Sequence, residues 1–226
     1  MPRRPRMATG GIVYHVLNRA VGRMTLFERD GDYAAFERVI ADVHRRLPTR
    51  ILSHCSMPNH WHLVLWPRKD GELSEFLRLL TVTHTQRWHA AHGTAGTGPL
   101  YQGRFKSFPA QQDEHLLTLC RYAERNAVRG KLARMAARWR WCSAWQRAQR
   151  EPAEWLLPLS DWPVDVPRNW AELVDRPLTT KEMEAVQHSM RRGTPFGGER
   201  WITQTAARLG LQSTLRPRGR PKNVKR

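Results

Sequence analysis

The chain has 226 residues, 40% of them hydrophobic, and its 38 Lys and Arg residues against 20 Asp and Glu residues give a net charge of +18. This length fits one domain of ordinary size with an appendage, or two small domains, and no apolar run approaches the roughly 20 residues that a membrane-spanning helix needs. The three cysteines have no Cys-x-x-Cys spacing, so neither a disulfide framework nor a thiolate zinc site is indicated, and a reducing cytoplasm is expected. The positive charge predicts a polyanionic partner, with nucleic acid ahead of an anionic membrane surface.

The first half of the chain alternates between strand and helix patterns. Hydrophobic periodicity predicts, in chain order, a strand over 11–18, a helix from Asp30 or Asp32 to Leu47, strands over 51–56 and 60–66, a helix over 73–91 and a strand over 101–108. Pro58 and Asn59 predict a turn that joins the second and third strands into a hairpin. This order predicts an α+β, ferredoxin-like βαββαβ fold, with an antiparallel sheet and helices on one face.

The second half is predicted to add further helices and a basic tail. Helical patterns cover 113–129, with Gly130 placed as the stop, and 134–150, whereas five prolines break any long element in 151–177. Thr179 and Glu182 have capping-box spacing and open a short helix, and a second short helix covers 199–209. The predicted division is a basic arm at 1–10, a main domain at 11–150, a Pro-rich connecting segment at 151–178, a short helical region at 179–212 and a basic tail at 213–226.

Two histidines one residue apart, His60 and His62, open the third predicted strand. Because alternate side chains of a strand point to the same face, the two imidazoles are expected side by side on one surface of the sheet. This geometry suits a divalent metal, or a phosphate held by two donors. It equally suits two half-buried histidines with a structural role, so the pair needs support from elsewhere in the chain.

Tyr122 and Asn126 lie four residues apart in the helix predicted after the fourth strand, so they share one helix face. A tyrosine hydroxyl ordinarily has a pKa near 10 and is a poor nucleophile at neutral pH. A metal that holds a phosphate withdraws charge from it and orients it for in-line attack. Attack by Tyr122 would split a DNA strand and leave a phosphotyrosine bond that another hydroxyl can capture. The alternative for Tyr122 is a packed helix tyrosine with its hydroxyl at the surface.

Three segments, in this order, resemble the REP-associated tyrosine transposases of the single-tyrosine HUH transposase superfamily. They run from Met57 to Leu65, from Tyr101 to Ser107 and from Arg121 to Gly130. The resemblance covers about residues 13–133, and more loosely 193–201 and 218–221. One departure is Ala127, where relatives commonly carry proline; alanine favours continuation of the helix.

The resemblance implies a metal-dependent single-stranded DNA endonuclease and strand transferase that acts on hairpins of repetitive extragenic palindromes (REP). It places His60 and His62 at metal-ligand positions, Tyr122 at the nucleophile position and Asn126 at the position of a polar third ligand. It also implies Mg²⁺ or Mn²⁺ as the metal, an HUH nuclease domain at 11–150 and a DNA-binding role for 179–212. We expect no small-molecule cofactor and no membrane partner, a cytoplasmic, nucleoid-associated location, and a monomer or homodimer.

Several basic residues are candidate contacts to DNA phosphates, with a solvated surface charge as the alternative for each. They are Arg104, Lys106, Arg121, Arg125, Arg216, Arg218, Arg220 and Lys222. Two other functions remain open for the whole chain. One is a non-catalytic nucleic-acid-binding regulator on the same fold, against which the set of His60, His62 and Tyr122 argues. The other is a metal hydrolase that uses water, for which carboxylates with ligand spacing are lacking.

Overall fold

The computed structural model describes residues 8–216. Only the last three residues of the predicted N-terminal arm at 1–10 fall within this range. Of the candidate phosphate contacts in the basic tail, Arg216 is described, whereas Arg218, Arg220 and Lys222 lie outside the described residues. Among the helices of residues 8–216, none is long and apolar enough to cross a membrane.

Four antiparallel strands form one sheet in the order β2-β3-β1-β4. The strands are β1 (Val13–Arg19), β2 (Arg50–Met57), β3 (His60–Trp66) and β4 (Lys106–Ala110). Helix α1 (Asp30–Arg46) connects β1 to β2, and α2 (Glu72–His92) connects β3 to β4. The predicted ferredoxin-like α+β arrangement is thereby confirmed.

Both faces of the sheet are covered, because apolar side chains point to each of them along the strands. Tyr14 and Val16 of β1 belong to the core that α1 and α2 form on the first face. Val13, Val64 and Phe108 belong to a second core on the opposite face. Helix α3 (Glu114–Glu124) packs its apolar side into this second core. That side of α3 therefore faces the sheet surface from which the odd-numbered side chains of β1 project.

The C-terminal part of the described chain adds short helices, most of them around the second face. They are α4 (Asn126–Arg129), α5 (Ser143–Arg147), α6 (Trp170–Asp175), α7 (Thr180–Arg192), α8 (Glu199–Arg208) and α9 (Gln212–Leu215). The predicted capping box at the start of α7 is present, with Thr179 and Glu182 each accepting from the other's backbone N–H. The Pro-rich segment is packed against the sheet, since Leu156 is buried and its backbone forms an isolated β-bridge with Ile51 of β2.

Three predicted elements differ from the structure. The fourth strand begins at Lys106, not at residue 101. Tyr101 pairs with Ala20 only in an isolated β-bridge, and its buried hydroxyl accepts a hydrogen bond from Trp61 on the α1/α2 side of the sheet. The helix predicted over 134–150 is replaced by a 3-10 turn at Ala136–Arg138 and by α5. The helix predicted over 113–129 is interrupted at Arg125, which separates α3 from α4.

Candidate active site

His60 and His62 lie at the start of β3 on the face that α3 covers. Their neighbours across β1 are Arg19 and Leu17, respectively. The two imidazole rings are 5.0 Å apart between centroids, as expected for alternate residues of a strand. The sequence prediction that the two rings share one sheet surface is therefore confirmed.

Each of the two rings has one nitrogen engaged by the protein. His60 Nδ1 lies 2.6 Å from Asn59 Oδ1, and His62 Nδ1 lies 2.9 Å from Nε2 of His15. Burial lowers the pKa of His60 to about 4, assisted by the positive charges of Arg19 and Arg129. Burial also lowers the pKa of His62 well below its usual value. Both imidazoles are therefore neutral at physiological pH, which is the form that binds metals.

Tyr122 approaches this pair of histidines from α3. Its ring centroid is 6.0 Å from that of His62 and 6.4 Å from that of His15, in edge-to-face orientation. Only 4% of Tyr122 is exposed, because it lies on the apolar side of the helix together with Leu119. Burial raises the pKa of Tyr122, and the neighbouring charges of Arg129 and Arg19 partly oppose that effect. The phenol is thus protonated at neutral pH.

Asn126 lies just after the interruption of the helix, and its side chain is tied to the backbone there. Its amide nitrogen donates to the carbonyl oxygens of Tyr122, at 3.0 Å, and Ala123, at 3.3 Å. This bonding ties the Asn126 side chain to carbonyl groups at the end of α3. The Asn126 amide oxygen accepts from the guanidinium of Arg129, which also lies over the Tyr122 ring, 4.6 Å from its centroid.

The sequence profile of a known family matches residues 8–126 of this chain, which is more than half of its length. That family is described as IS200-like transposases. The chain belongs to the IS200-like transposase family. No curated protein sequence matches this member of the family.

A solved structure shares the fold of this IS200-like family member. The structure of a REP-associated tyrosine transposase bound to a REP hairpin superposes with a TM-score of 0.53 at 18% identity, covering 70% of this chain and 91% of that one. This similarity supports the fold. A Deinococcus radiodurans protein provisionally described as a transposase superposes with a TM-score of 0.40 at 16% identity, over 58% of this chain and 95% of that one.

The donor set of this family member fits a divalent metal ion at the two histidines. His62 Nε2 is buried and has no hydrogen-bond partner among residues 8–216, and a neutral imidazole nitrogen in that state suits metal coordination. His60 and His62 would provide two nitrogens. The third candidate, Asn126, has an amide oxygen that accepts from Arg129 with one of its two lone pairs and keeps the other for a metal.

A second group of potential ligands lies at the start of α3, where Asp113, Glu114 and His115 bring their donor atoms within 4.8 Å of one another. Asp113 caps the helix by accepting from the backbone N–H of His115, and it also lies 2.8 Å from the His115 ring nitrogen. These contacts account for the cluster as a helix cap.

The candidate phosphate contacts fall into two groups. Arg104 and Lys106 are exposed and line a cleft that also contains Arg191 and Arg19, the cross-strand neighbour of His60. Arg121 and Arg125 are half-buried, and both donate to backbone carbonyls of the C-terminal part. Their acceptors are Leu173 O at 2.9 Å and Arg176 O at 3.2 Å for Arg121, and Asp175 O at 3.1 Å for Arg125.

Arg216, the one candidate of the basic tail within the described residues, is exposed at the end of the described chain, and its carbonyl accepts from Arg192.

Two residues of the site were not among those predicted for it: His15 and Arg19. His15 carries a sequence signal, because it points to the opposite face of the first predicted strand from Val16 and the ferredoxin-like order places that strand beside β3. Arg19 lies one residue beyond the predicted strand and carries no such signal. Arg129 is the last of three arginines at four-residue spacing, after Arg121 and Arg125, and this pattern predicts positive charge beside Tyr122.

Proposed function

We propose that this protein is a metal-dependent single-stranded DNA endonuclease and strand transferase that works through a covalent phosphotyrosine intermediate. The observation that carries the proposal is the approach of the Tyr122 ring to the His62 ring, 6.0 Å between centroids, beside His60. The candidate nucleophile and the candidate metal ligands belong to one chain. A site formed within a single subunit is therefore part of the proposal.

In the proposed reaction, Tyr122 Oη attacks the phosphorus of a DNA phosphodiester. The bond from phosphorus to the leaving deoxyribose oxygen breaks, Tyr122 loses its phenolic proton, and the leaving oxygen gains a proton. One phosphodiester is exchanged for another, so the step needs no nucleotide cofactor, and a second DNA hydroxyl can reverse it on a new strand. Mg²⁺ or Mn²⁺ held by His60, His62 and the third candidate ligand Asn126 would withdraw charge from the phosphate and orient it.

Arg129 and Arg19 complete the charge environment of the nucleophile. The guanidinium of Arg129 over the Tyr122 ring favours the phenolate, which is the form that attacks. The burial of Tyr122 opposes ionisation in the free protein. The nucleophile is thus expected to be held inactive until a phosphate and a metal enter the site.

We propose REP-type hairpins as the DNA substrate, with the short helical region at 179–212 and the basic tail at 213–226 as the part that holds the hairpin. The support is the family of the chain, its net charge of +18 and the fold that it shares with a protein whose structure contains a REP hairpin. Arg104 and Lys106 are proposed contacts to single-stranded DNA beside the site. Arg121 and Arg125 are proposed to act mainly by holding residues 173–176 against α3, since their guanidinium groups are bonded there.

The test is formation of a covalent adduct between the protein and DNA. The purified protein is incubated with Mg²⁺ or Mn²⁺ and a labelled single-stranded REP hairpin, and the products are separated under denaturing conditions. We expect a labelled band at the mass of the protein plus a DNA fragment, which disappears with EDTA or with Tyr122→Phe. The matched control is Tyr33→Phe, which removes a phenol from the opposite face of the sheet and should leave the band unchanged.

Other outcomes would contradict the proposal and identify what replaces it. Cleavage without an adduct would show that water is the nucleophile and would favour a metal hydrolase. Hairpin binding without cleavage, with either metal, would favour a non-catalytic regulator. An adduct that persists in the Tyr122→Phe variant would show that another residue is the nucleophile.

A further inference from the structure

We infer that His15 and Asn59 are positioning residues that hold His62 and His60, respectively, in the tautomer whose Nε2 nitrogen can bind a metal. The inference rests on the metal site of the proposed function. It concerns two residues outside that site's ligand set, and it can be tested in the metal-free protein.

A neutral imidazole carries one proton and one lone pair, on different nitrogens. A nitrogen that is to bind a metal must present the lone pair, so the proton must lie on the other nitrogen. An acceptor placed against that other nitrogen selects the required tautomer and also fixes the plane of the ring. Free neutral histidine prefers the opposite tautomer, with the proton on Nε2, and a protein that needs Nε2 for a metal must reverse this preference.

His60 meets this requirement through the residue that precedes it. Its Nδ1 lies 2.6 Å from the side-chain oxygen of Asn59, an oxygen that can only accept. The proton of His60 is therefore on Nδ1, and the lone pair is on Nε2. Asn59 lies in the turn between β2 and β3 and is only half-buried, so it reaches His60 without being part of the core.

His62 meets the requirement through a residue of the neighbouring strand. Its Nδ1 lies 2.9 Å from His15 Nε2, and both residues are almost fully buried, with 2% and 1% of their surface exposed. One of the two rings must donate. If His62 Nδ1 donates, His62 Nε2 keeps a lone pair. This buried nitrogen has no hydrogen-bond partner among residues 8–216, so its lone pair can bind a metal.

The position of His15 is held by two aromatic side chains that contact its ring. Phe108 of β4 stacks against it with 4.9 Å between ring centroids, and the Tyr122 ring meets it edge-on at 6.4 Å. A histidine that served only to fill this space could be replaced by an apolar ring at no cost to its neighbours. The nitrogen of His15 that is aligned on His62 distinguishes a positioning role from a filling role.

The first test measures the tautomers of His60 and His62 directly. Long-range ¹H–¹⁵N correlation spectra of the metal-free, ¹⁵N-histidine-labelled protein distinguish a protonated from an unprotonated ring nitrogen. In the wild type we expect the proton on Nδ1 of both residues. His15→Phe should move the proton of His62 to Nε2 and leave His60 unchanged, whereas Asn59→Ala should do the reverse.

The second test measures Mn²⁺ affinity by electron paramagnetic resonance without DNA. We expect His15→Phe and Asn59→Ala each to weaken binding about 10- to 100-fold, the range found for groups that orient metal ligands. His15→Gln and Asn59→Asp keep an acceptor and should restore binding to within about threefold of wild type. His84→Gln is the matched control, because His84 is also buried and hydrogen-bonded but lies in the layer formed by α1 and α2.

The outcomes separate this inference from the proposed function. If His60→Ala and His62→Ala leave Mn²⁺ binding of the protein unchanged, the proposed metal site itself is wrong. If those two variants abolish binding but His15→Phe and Asn59→Ala keep both the Nδ1 proton and the wild-type affinity, the positioning role is wrong and the metal site stands. Asn59 is in a turn, so its variants test the inference even if substitution of the buried His15 prevents folding.

Discussion

At the scale of single residues, the site combines groups whose charged forms are suppressed by burial. His60 is neutral because burial and two nearby arginines lower its pKa to about 4, and Tyr122 is neutral because burial raises its pKa. A neutral imidazole is ready to bind a metal without first losing a proton. The candidate metal ligands and the candidate nucleophile are therefore all neutral in the free protein at physiological pH.

This state of the histidines predicts how metal binding responds to pH. A group with a lowered pKa stays neutral until the pH falls to that lower value, so protons should compete with the metal at His60 only near pH 4. We expect the Mn²⁺ affinity to change by less than about threefold between pH 7.5 and pH 5.5, as measured by electron paramagnetic resonance. Ordinary histidines with pKa near 6.5 would instead lose about tenfold in affinity per pH unit per ligand below that value, and such a loss would contradict the account.

Part of the site could be predicted from sequence at this scale. Strand alternation alone placed His60 and His62 on one face, and helical spacing placed Tyr122 and Asn126 together. The hydrogen bond from Arg129 to the Asn126 oxygen could not be predicted. Several acceptors lie within reach of a long arginine side chain, and the sequence does not show which of them it takes. The helix-favouring residues around Arg125 likewise give no local sign of the break between α3 and α4.

At the scale of elements, the position of Tyr122 depends on how α3 is held against the sheet. Glu124, two residues after Tyr122, is fully buried and accepts from the guanidinium of Arg147 and from the hydroxyl of Ser143, at 2.7 Å, both in α5. Arg147 also donates to the backbone oxygen of Leu52 in β2. One buried carboxylate thus connects the helix of the candidate nucleophile to α5, and through Arg147 to the sheet.

Removal of Arg147 should therefore destabilise the protein strongly. In Arg147→Met the carboxylate of Glu124 stays buried without its charge partner, a change that costs about 3 kcal/mol. We expect urea denaturation to show a loss of that size, and the double variant Glu124→Leu/Arg147→Met to recover at least half of it. Arg150→Met, which removes an exposed arginine nearby, should change the free energy of unfolding by less than about 0.5 kcal/mol. A loss below about 1 kcal/mol for Arg147→Met would contradict this account of how α3 is held.

The element predictions succeeded where periodicity decides structure and failed where tertiary contacts override it. The bounds of β1, β2, β3, α1 and α2, which form the sheet and the helix layer on its first face, were predicted to within one or two residues. Residues 134–150 have a helical composition, but the backbone N–H of Ser56 donates to the carbonyl of Trp141 at 2.8 Å, and the backbones of Cys142 and Cys55, both free thiols, pair in an isolated antiparallel β-bridge. The segment covers the open edge of β2, a role that local propensity does not reveal.

At the scale of the whole molecule, the net charge of +18 is the most prominent property that packing of the core does not explain. Part of this charge lies beside the candidate site, where Arg104, Lys106 and Arg19 line one cleft. Contacts between such residues and phosphates release counterions, so their number can be read from the salt dependence of binding.

We expect the affinity for single-stranded DNA to fall as salt rises, and Arg104→Gln/Lys106→Gln to make the slope of log affinity against log salt shallower. Loss of two phosphate contacts should reduce that slope by about 1.4, since each contact to a single strand contributes about 0.7. Arg45→Gln, which removes an exposed arginine already paired with Asp42 on α1, is the matched control. A slope that changes equally in both variants would show that the cleft has no special role in DNA binding.

The central claim is that Tyr122 forms the covalent bond to DNA, and mass spectrometry of the adduct tests it most directly. The trapped protein–DNA complex is digested with trypsin and nuclease, and the modified peptide is sequenced. Cleavage after Arg121 and Arg125 yields the peptide Tyr122–Arg125, and we predict a nucleotide phosphate on its tyrosine. A phosphate bond at Tyr14, Tyr33 or Tyr101, or on any other side chain, would contradict the account.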